Sequence, residues 1–201
     1  ANPGEVTLVA VGRMTNLALA LKEDPEIAKL VKQVVIMGGN FYVPGNVSPV
    51  AEANIHGDPE AADAVMTAPW KVAIIGLDVT AITTMSRSYL KAAADKGDAA
   101  VKLLNDLSQF YIDFYKHAVE DGMMVHDSCA CVYVVAPELF TTITGAVRVV
   151  CGGIADGQTI VKPDGRRFPP GDWDNLPSQT VCTGIKSEEV IDLIRDTLLR
   201  A

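Results

Sequence analysis

Residues 33–80 read QVVIMGGNFYVPGNVSPVAEANIHGDPEAADAVMTAPWKVAIIGLDVT, and this stretch decides the fold class. Gln33 to Met37 is a short apolar run rich in β-branched residues and stopped by Gly38-Gly39, which predicts a strand. A long loop with Pro44, Gly45 and Pro49 runs from Asn40 to Gly57, and loops of that length inside a compact domain are functional or disordered. Asp58-Pro59-Glu60 starts a helix, with Asp as N-cap, Pro at the first helical position and an acid in the first turn; it is expected to reach about Thr67. Lys71 to Gly76 is a further buried strand, followed at once by Leu77-Asp78-Val79-Thr80.

Outward from this core the alternation continues. Val6 to Val11 predicts a buried strand closed by Gly12, and Thr15-Asn16 opens a helical stretch broken or restarted at Pro25. Strand, helix, strand, loop, helix, strand implies parallel strands with helices on both faces. Downstream, residues 87–95 predict one helix. Residues 98–119 predict the best amphipathic one, with Leu103, Leu104, Leu107, Phe110, Tyr111, Phe114 and Ala118 at three- and four-residue steps. His126 to Ala136 is expected to be a buried helix, and Val147 to Val150 and Gln158 to Val161 are expected strands. A Pro/Gly/Asp-rich loop spans Lys162 to Pro177, and Ser187 is expected to cap a final helix. No repeat, low-complexity tract or linker divides the chain, which is expected to be a single domain over 1–201.

The 201 residues are 49% hydrophobic, which promises a sizeable core and argues against disorder. A net charge of −8 opposes a nucleic-acid partner, whose binding draws on Lys and Arg meeting phosphates. A small neutral substrate fits this balance. No run of about 18 apolar residues is present, so no membrane span is expected. Cys129, Cys131, Cys151 and Cys182 lack zinc spacing and are expected to be buried thiols in a reducing compartment, the cytoplasm.

In an open parallel sheet, ligands bind beyond the carboxyl ends of the strands. Two polar clusters fall at such places. Asn46, Glu52 and Asn54 offer two amides and a carboxylate that together suit vicinal hydroxyls of a sugar, although plain turn capping accounts for the same residues. His126-Asp127 stands before an apolar helix: either a metal-binding carboxylate beside a group titrating near neutrality, or an N-capping Asp beside a surface His. Asp78 is either functional or the closure of a turn, and His56 and His117 have no comparable neighbour. No G-x-G-x-x-G, P-loop or G-x-S-x-G occurs, which argues against dinucleotide binding and serine hydrolysis.

Four ordered blocks, VAVGRMTNLALAL, VVIMGGNFYVPGNVSPVAEANIHGDPEAADAV, GLDVT and VHDSCACVYVVAPELF, resemble the inosine-uridine nucleoside hydrolase family. The Ala-Glu-Ala-Asn and Gly-Asp-Pro-Glu wording is similar to its plant-like, uridine-preferring branch. The resemblance implies an open, mostly parallel Rossmann-like α/β sheet flanked by helices, and hydrolysis of the N-glycosidic bond of ribonucleosides in purine and pyrimidine salvage. It implies a calcium ion that activates the attacking water, an oxocarbenium-like transition state, and a homo-oligomer, dimer or tetramer. Carried over by position, it makes Asp127 a calcium ligand, with the Val11 backbone carbonyl on the same ion. His126 would protonate or hydrogen-bond the leaving base. Asn46, Glu52 and Asn54 would bind ribose hydroxyls with Met37 beside the sugar, and Tyr111 and Tyr115 would lie over the base.

The chain departs from the family pattern in several places. The opening Asp-Thr-Asp-Pro-Gly-x-Asp-Asp motif, which supplies two calcium carboxylates and the catalytic base, is absent from these residues. Arg13-Met14, Ala53, Ser128 and Asp156 each replace a more usual residue. The expectation is therefore a C-terminal part of such an enzyme, its sheet incomplete at the N-terminus and inactive as an isolated 201-residue chain. Two other classes compete: a non-catalytic nucleoside- or ribose-binding protein, and a nucleotide-cofactor enzyme on a similar sheet, which the missing glycine fingerprint opposes.

Overall fold

The computed structural model describes residues 2–200. Strand β1 (Thr7–Ala10) leads through α1 (Thr15–Glu23) and α2 (Ile27–Leu30) to β2 (Gln33–Met37). The loop after β2 contains a single-turn helix, α3 (Ala53–His56), and passes into α4 (Pro59–Thr67). Strand β3 (Val72–Ile75) is followed by another single turn, α5 (Leu77–Thr80). A small antiparallel ribbon pairs β4 (Thr84–Ser86) with the later β5 (Gly122–Met124), and between them in sequence run α6 (Arg87–Ala94) and α7 (Ala99–Phe114). Helix α8 (Asp127–Val135), strands β6 (Phe140–Val149), β7 (Thr159–Pro163) and β8 (Gln179–Ile185), and helix α9 (Ser187–Leu198) complete the chain.

The main sheet has six strands in the order β1-β2-β3-β8-β6-β7. The first four are parallel, while β6 runs antiparallel to both β8 and β7. Side chains alternate across each strand. Val34, Ile36 and Ile74 therefore enter one core with Met14, Ile55 and Met66, whereas Val35, Met37 and Ile75 enter the other with Cys129, Ala130 and Val190. Covering on both faces explains why β2 and β3 read as unbroken apolar runs. One buried polar group crosses between layers: the Gln179 side chain accepts from Val72 N–H at 2.8 Å and donates to the Met66 carbonyl at 2.9 Å.

Several expectations are corrected. The strand at 6–11 is half exposed rather than buried, because among the described residues β1 ends the sheet with β2 as its partner; Val6, Val9 and Val11 are all exposed. Strand β6 begins at Phe140, well before Val147, and β8, which was not expected at all, lies inside the sheet between β3 and β6. The 98–119 helix ends at Phe114 and buries Val101, Ser108 and Ile112, leaving Leu103, Leu107, Phe110 and Phe114 exposed. Ser187 is the first residue of α9 rather than its cap; its hydroxyl lies 3.3 Å from the Thr83 hydroxyl and 3.4 Å from the Ile82 carbonyl. All four cysteines are free thiols, Cys129 and Cys182 buried but Cys131 and Cys151 exposed. Among the described residues no helix is long and apolar enough to cross a membrane.

Candidate active site

The polar residues gather where β2 and β3 end. Gly39 turns the chain away from β2 at φ +79°, and a Cβ there would meet the Thr159 side chain at 3.1 Å. The loop beyond is tied down by two buried carboxylates. Asp78, at the start of α5, accepts from Phe41 N–H at 2.9 Å and from Tyr42 N–H at 2.8 Å. Glu52, only 2% exposed, caps α3. One of its oxygens accepts from Asn54 N–H at 2.9 Å; the other accepts from Gly39 N–H at 3.0 Å and Ile55 N–H at 3.1 Å. Burial pushes the Glu52 carboxyl up; the three N–H groups oppose that, and the Asp127 charge adds to it. The turn-capping reading of this loop is thus realised in full, and the question left is what the caps hold in place.

They hold two amides. Asn54 donates from Nδ2 to the Met37 carbonyl at 3.0 Å, locking α3 onto the end of β2. Asn46 accepts from Ala53 N–H at 3.0 Å, which adds a second brace to the start of α3. Asp78→Asn is expected to lower stability by about 1–2 kcal/mol, since an amide keeps one acceptor oxygen for two N–H groups. The shift in urea midpoint at constant slope checks this.

His126 and Asp127 sit where α8 begins. Asp127 is the first helical residue and makes no capping bond, so the N-cap reading of it fails. A carboxylate there sits favourably at the positive end of the helix. Burial pushes the Asp127 carboxyl up and the His126 imidazole down, and each opposes the other's shift by its charge. The His126 Nδ1 lies 2.8 Å from the Thr80 hydroxyl. Both residues line a cavity of about 410 Å³ whose remaining wall includes Leu104, Leu107, Tyr111 and Met123. The lining is mostly apolar with a few polar groups, the usual make-up of a small-molecule site.

The expected residues are brought together unevenly. Met37, Glu52 and Asn54 are joined by hydrogen bonds through Met37 O and Asn54, and Asn46 reaches them through Ala53. His126, Asp127 and Tyr111 share the cavity, and the Asp127 charge acts on both Glu52 and Tyr111. Burial pushes the Tyr111 hydroxyl up to about 12. Tyr115 stands behind Tyr111, ring centroids 4.5 Å apart, and continues outward to Phe114 and His117 instead of lining the cavity. Val11 lies one residue beyond the edge strand β1 and is exposed. Sequence reasoning assigned no role to Thr80; a threonine on the turn after a buried strand carries no signal of which way its hydroxyl points.

The fit to a cation is incomplete. Calcium takes six to eight oxygens, yet among the described residues no three His, Cys, Asp or Glu side chains are grouped so as to hold an ion. Asp127 with a backbone carbonyl does not by itself make a calcium site.

Comparison with known proteins yields one consistent match. The family model described as inosine-uridine preferring nucleoside hydrolase covers residues 1–192. The chain is 40% identical over 202 residues to a protein named probable uridine nucleosidase 2 from Arabidopsis thaliana, covering 99% of this chain and 62% of that relative. Among solved structures, a plant nucleoside hydrolase superposes with a TM-score of 0.93 at 38% identity, covering 99% of this chain and 63% of that one. A purine-preferring ribonucleoside hydrolase from Gardnerella vaginalis superposes with a TM-score of 0.89 at 32% identity, covering 98% and 61%. The chain thus spans about 60% of the length of the curated relatives it matches.

Proposed function

The chain belongs to the inosine-uridine preferring nucleoside hydrolase family, and from that premise we propose that the protein carrying it hydrolyses the N-glycosidic bond of uridine- and inosine-type ribonucleosides to ribose and free base. The observation that carries this reading is that α8, which begins at Asp127, packs against β2, whose end carries the Glu52 loop, so that the Asp127 charge acts on Glu52. An amide- and carboxylate-bearing loop (Asn46, Glu52, Asn54) suits a sugar, and a mostly apolar cavity lined by His126 suits a base.

The roles follow from donor and acceptor inventory. Two carboxylate oxygens offer about four lone-pair sites, and Glu52 commits three to backbone N–H groups. One acceptor site is left for a ribose hydroxyl, on the oxygen that meets Asn54 N–H. Asn54 and Asn46 present the amides, and Met37 packs beside the sugar. As the bond from the anomeric carbon to nitrogen breaks, positive charge builds on the ribose and negative charge on the base. An N–H of His126 aimed at the base stabilises that developing charge. Water supplies hydroxide to the anomeric carbon and, overall, a proton to the departing nitrogen. Tyr111 and, behind it, Tyr115 form the aromatic side of the base region.

Calcium is the proposed cofactor, with Asp127 and the Val11 carbonyl as this chain's two donors. Because two donors fall short of six to eight, the 201 residues alone are proposed to release no ribose. A homo-oligomer in the cytoplasm belongs to the same proposal.

The test is a reducing-sugar assay on the protein at its natural length, with uridine and inosine, before and after chelation and after calcium is restored. Ribose release that is lost on chelation and regained with calcium supports the proposal. Saturable uridine binding without ribose release would replace it with the binding-protein reading, which the inward commitment of Glu52 favours.

A further inference from the structure

We infer that Thr80 is a positioning residue that holds neutral His126 in the tautomer with its proton on Nε2, so that a ring N–H, not a ring lone pair, faces away from the α5 contact; this rests on the proposed role of His126 at the leaving base. The two residues are 46 positions apart, and their side chains meet at 2.8 Å. Thr80 is completely buried. A helical threonine commonly gives its hydroxyl proton to the carbonyl one turn back, and Thr83, just past α5, makes the same kind of bond, donating to the Val79 carbonyl at 2.9 Å. Thr80 does not: among the described residues its hydroxyl has no hydrogen-bond partner except His126 Nδ1.

A buried hydroxyl proton without an acceptor is costly, and the acceptor it meets among the described residues is that ring nitrogen. Thr80 therefore donates and Nδ1 accepts, which places the proton of the neutral ring on Nε2. The opposite arrangement, with Nδ1–H donating to the threonine oxygen, leaves the hydroxyl proton unpartnered in a dry site. It would also leave Nε2 a bare acceptor, the wrong polarity for a base gaining negative charge. The backbone supports the same placement: Thr80 N–H is fixed to Gly76 at 3.1 Å, while Val125 N–H, next to His126, is bonded to the Thr83 carbonyl at 2.8 Å. The two segments that bear the pair are thus tied together independently of the pair itself.

The chain has three histidines, His56, His117 and His126, so ¹⁵N-histidine labelling reads the tautomer directly. At about pH 8, above the ordinary histidine range, the long-range ¹H–¹⁵N spectrum of the wild-type chain should show His126 with Nδ1 unprotonated and Nε2 protonated. Thr80→Ser should keep that pattern, and Thr80→Val, which retains the shape and loses the hydroxyl, should move it to a mixture. A wild-type spectrum with Nδ1 protonated overturns the inference without any variant, as does a Thr80→Val spectrum identical to wild type. In the protein at its natural length, Thr80→Val should lower kcat about tenfold on uridine with KM within about twofold, and Thr80→Ser should restore it; equal rates in the two variants overturn the positioning role. Absence of nucleoside turnover in the wild-type protein would sink the proposed function instead, and the spectrum would still decide the tautomer.

Discussion

His126→Ala, made in the protein at its natural length, is expected to lower kcat on uridine by about 10²–10⁴, the range for removing a group that donates to a leaving atom in the transition state. KM should change much less, because the interaction strengthens only as charge moves onto the base. Size alone would not identify the cause, so the nature of the leaving group supplies the control. A riboside whose leaving group is already a stable anion, such as a nitrophenolate, needs no donor at that atom. The variant should therefore lose little on such a substrate while losing most of its rate on uridine. The alanine should also fold: the His126 ring makes one side-chain hydrogen bond, to Thr80, and the α8 backbone begins without a capping side chain. A kcat on uridine within threefold of wild type would remove His126 from the reaction, and an equal loss on both substrates would point to damaged binding rather than leaving-group help.

The parts of this molecule that were legible in sequence are those whose physics is local or uniform. Strands β2 and β3 are covered on both faces, so their apolar runs needed no knowledge of neighbours, and Asp58-Pro59 starts α4 as its residue types dictate. Strand β8 was not legible. QTVCTGI mixes Thr, Gln and Gly with three apolar residues, and its Gln179 is buried only because Val72 and Met66, more than 100 residues earlier, offer partners. The exposure of β1 was equally hidden, since Val6 to Val11 has the composition of a central strand and edge position is a property of the sheet. At the site, residue types at the carboxyl ends of strands marked the two polar clusters described above. Direction was what sequence could not supply: whether Glu52 faces a sugar or its own backbone, and which way the Thr80 hydroxyl turns, depend on donors brought in from distant segments.

That inward commitment makes Glu52 the residue whose loss should cost the fold most for its size. Glu52→Ala is expected to destabilise the chain by about 2–4 kcal/mol. Three backbone N–H groups, on Gly39, Asn54 and Ile55, lose a charged acceptor in a dry place, and each orphaned donor costs about 1–3 kcal/mol. Burial offsets part of this: the Glu52 carboxyl is pushed up from 4.5, so its charge is itself costly where it stands, and removing it returns some stability. Glu52→Gln should be milder, about 1–2 kcal/mol, because its one amide oxygen can serve the Gly39 and Ile55 donors while its NH₂ faces Asn54 N–H. The pH dependence separates the two contributions. With its folded pKa above its unfolded value, Glu52 holds a proton more tightly in the folded state, so its own contribution to stability should rise as pH falls from neutral toward 4.5, while that of His126, whose pKa is lowered, should fall below the ordinary histidine range. Both substitutions should remove the Glu52 contribution and leave that of Asp127, which is shifted in the same direction, so the difference between wild type and variant should itself change with pH. Urea titrations across that range read both effects. Losing its cap, α3 should fray, Asn54 should slip from the Met37 carbonyl, and KM for uridine should climb at least tenfold ahead of any fall in kcat. A Glu52→Ala chain within about 1 kcal/mol of wild type would mean that the three donors find other partners, and that Glu52 serves the sugar alone.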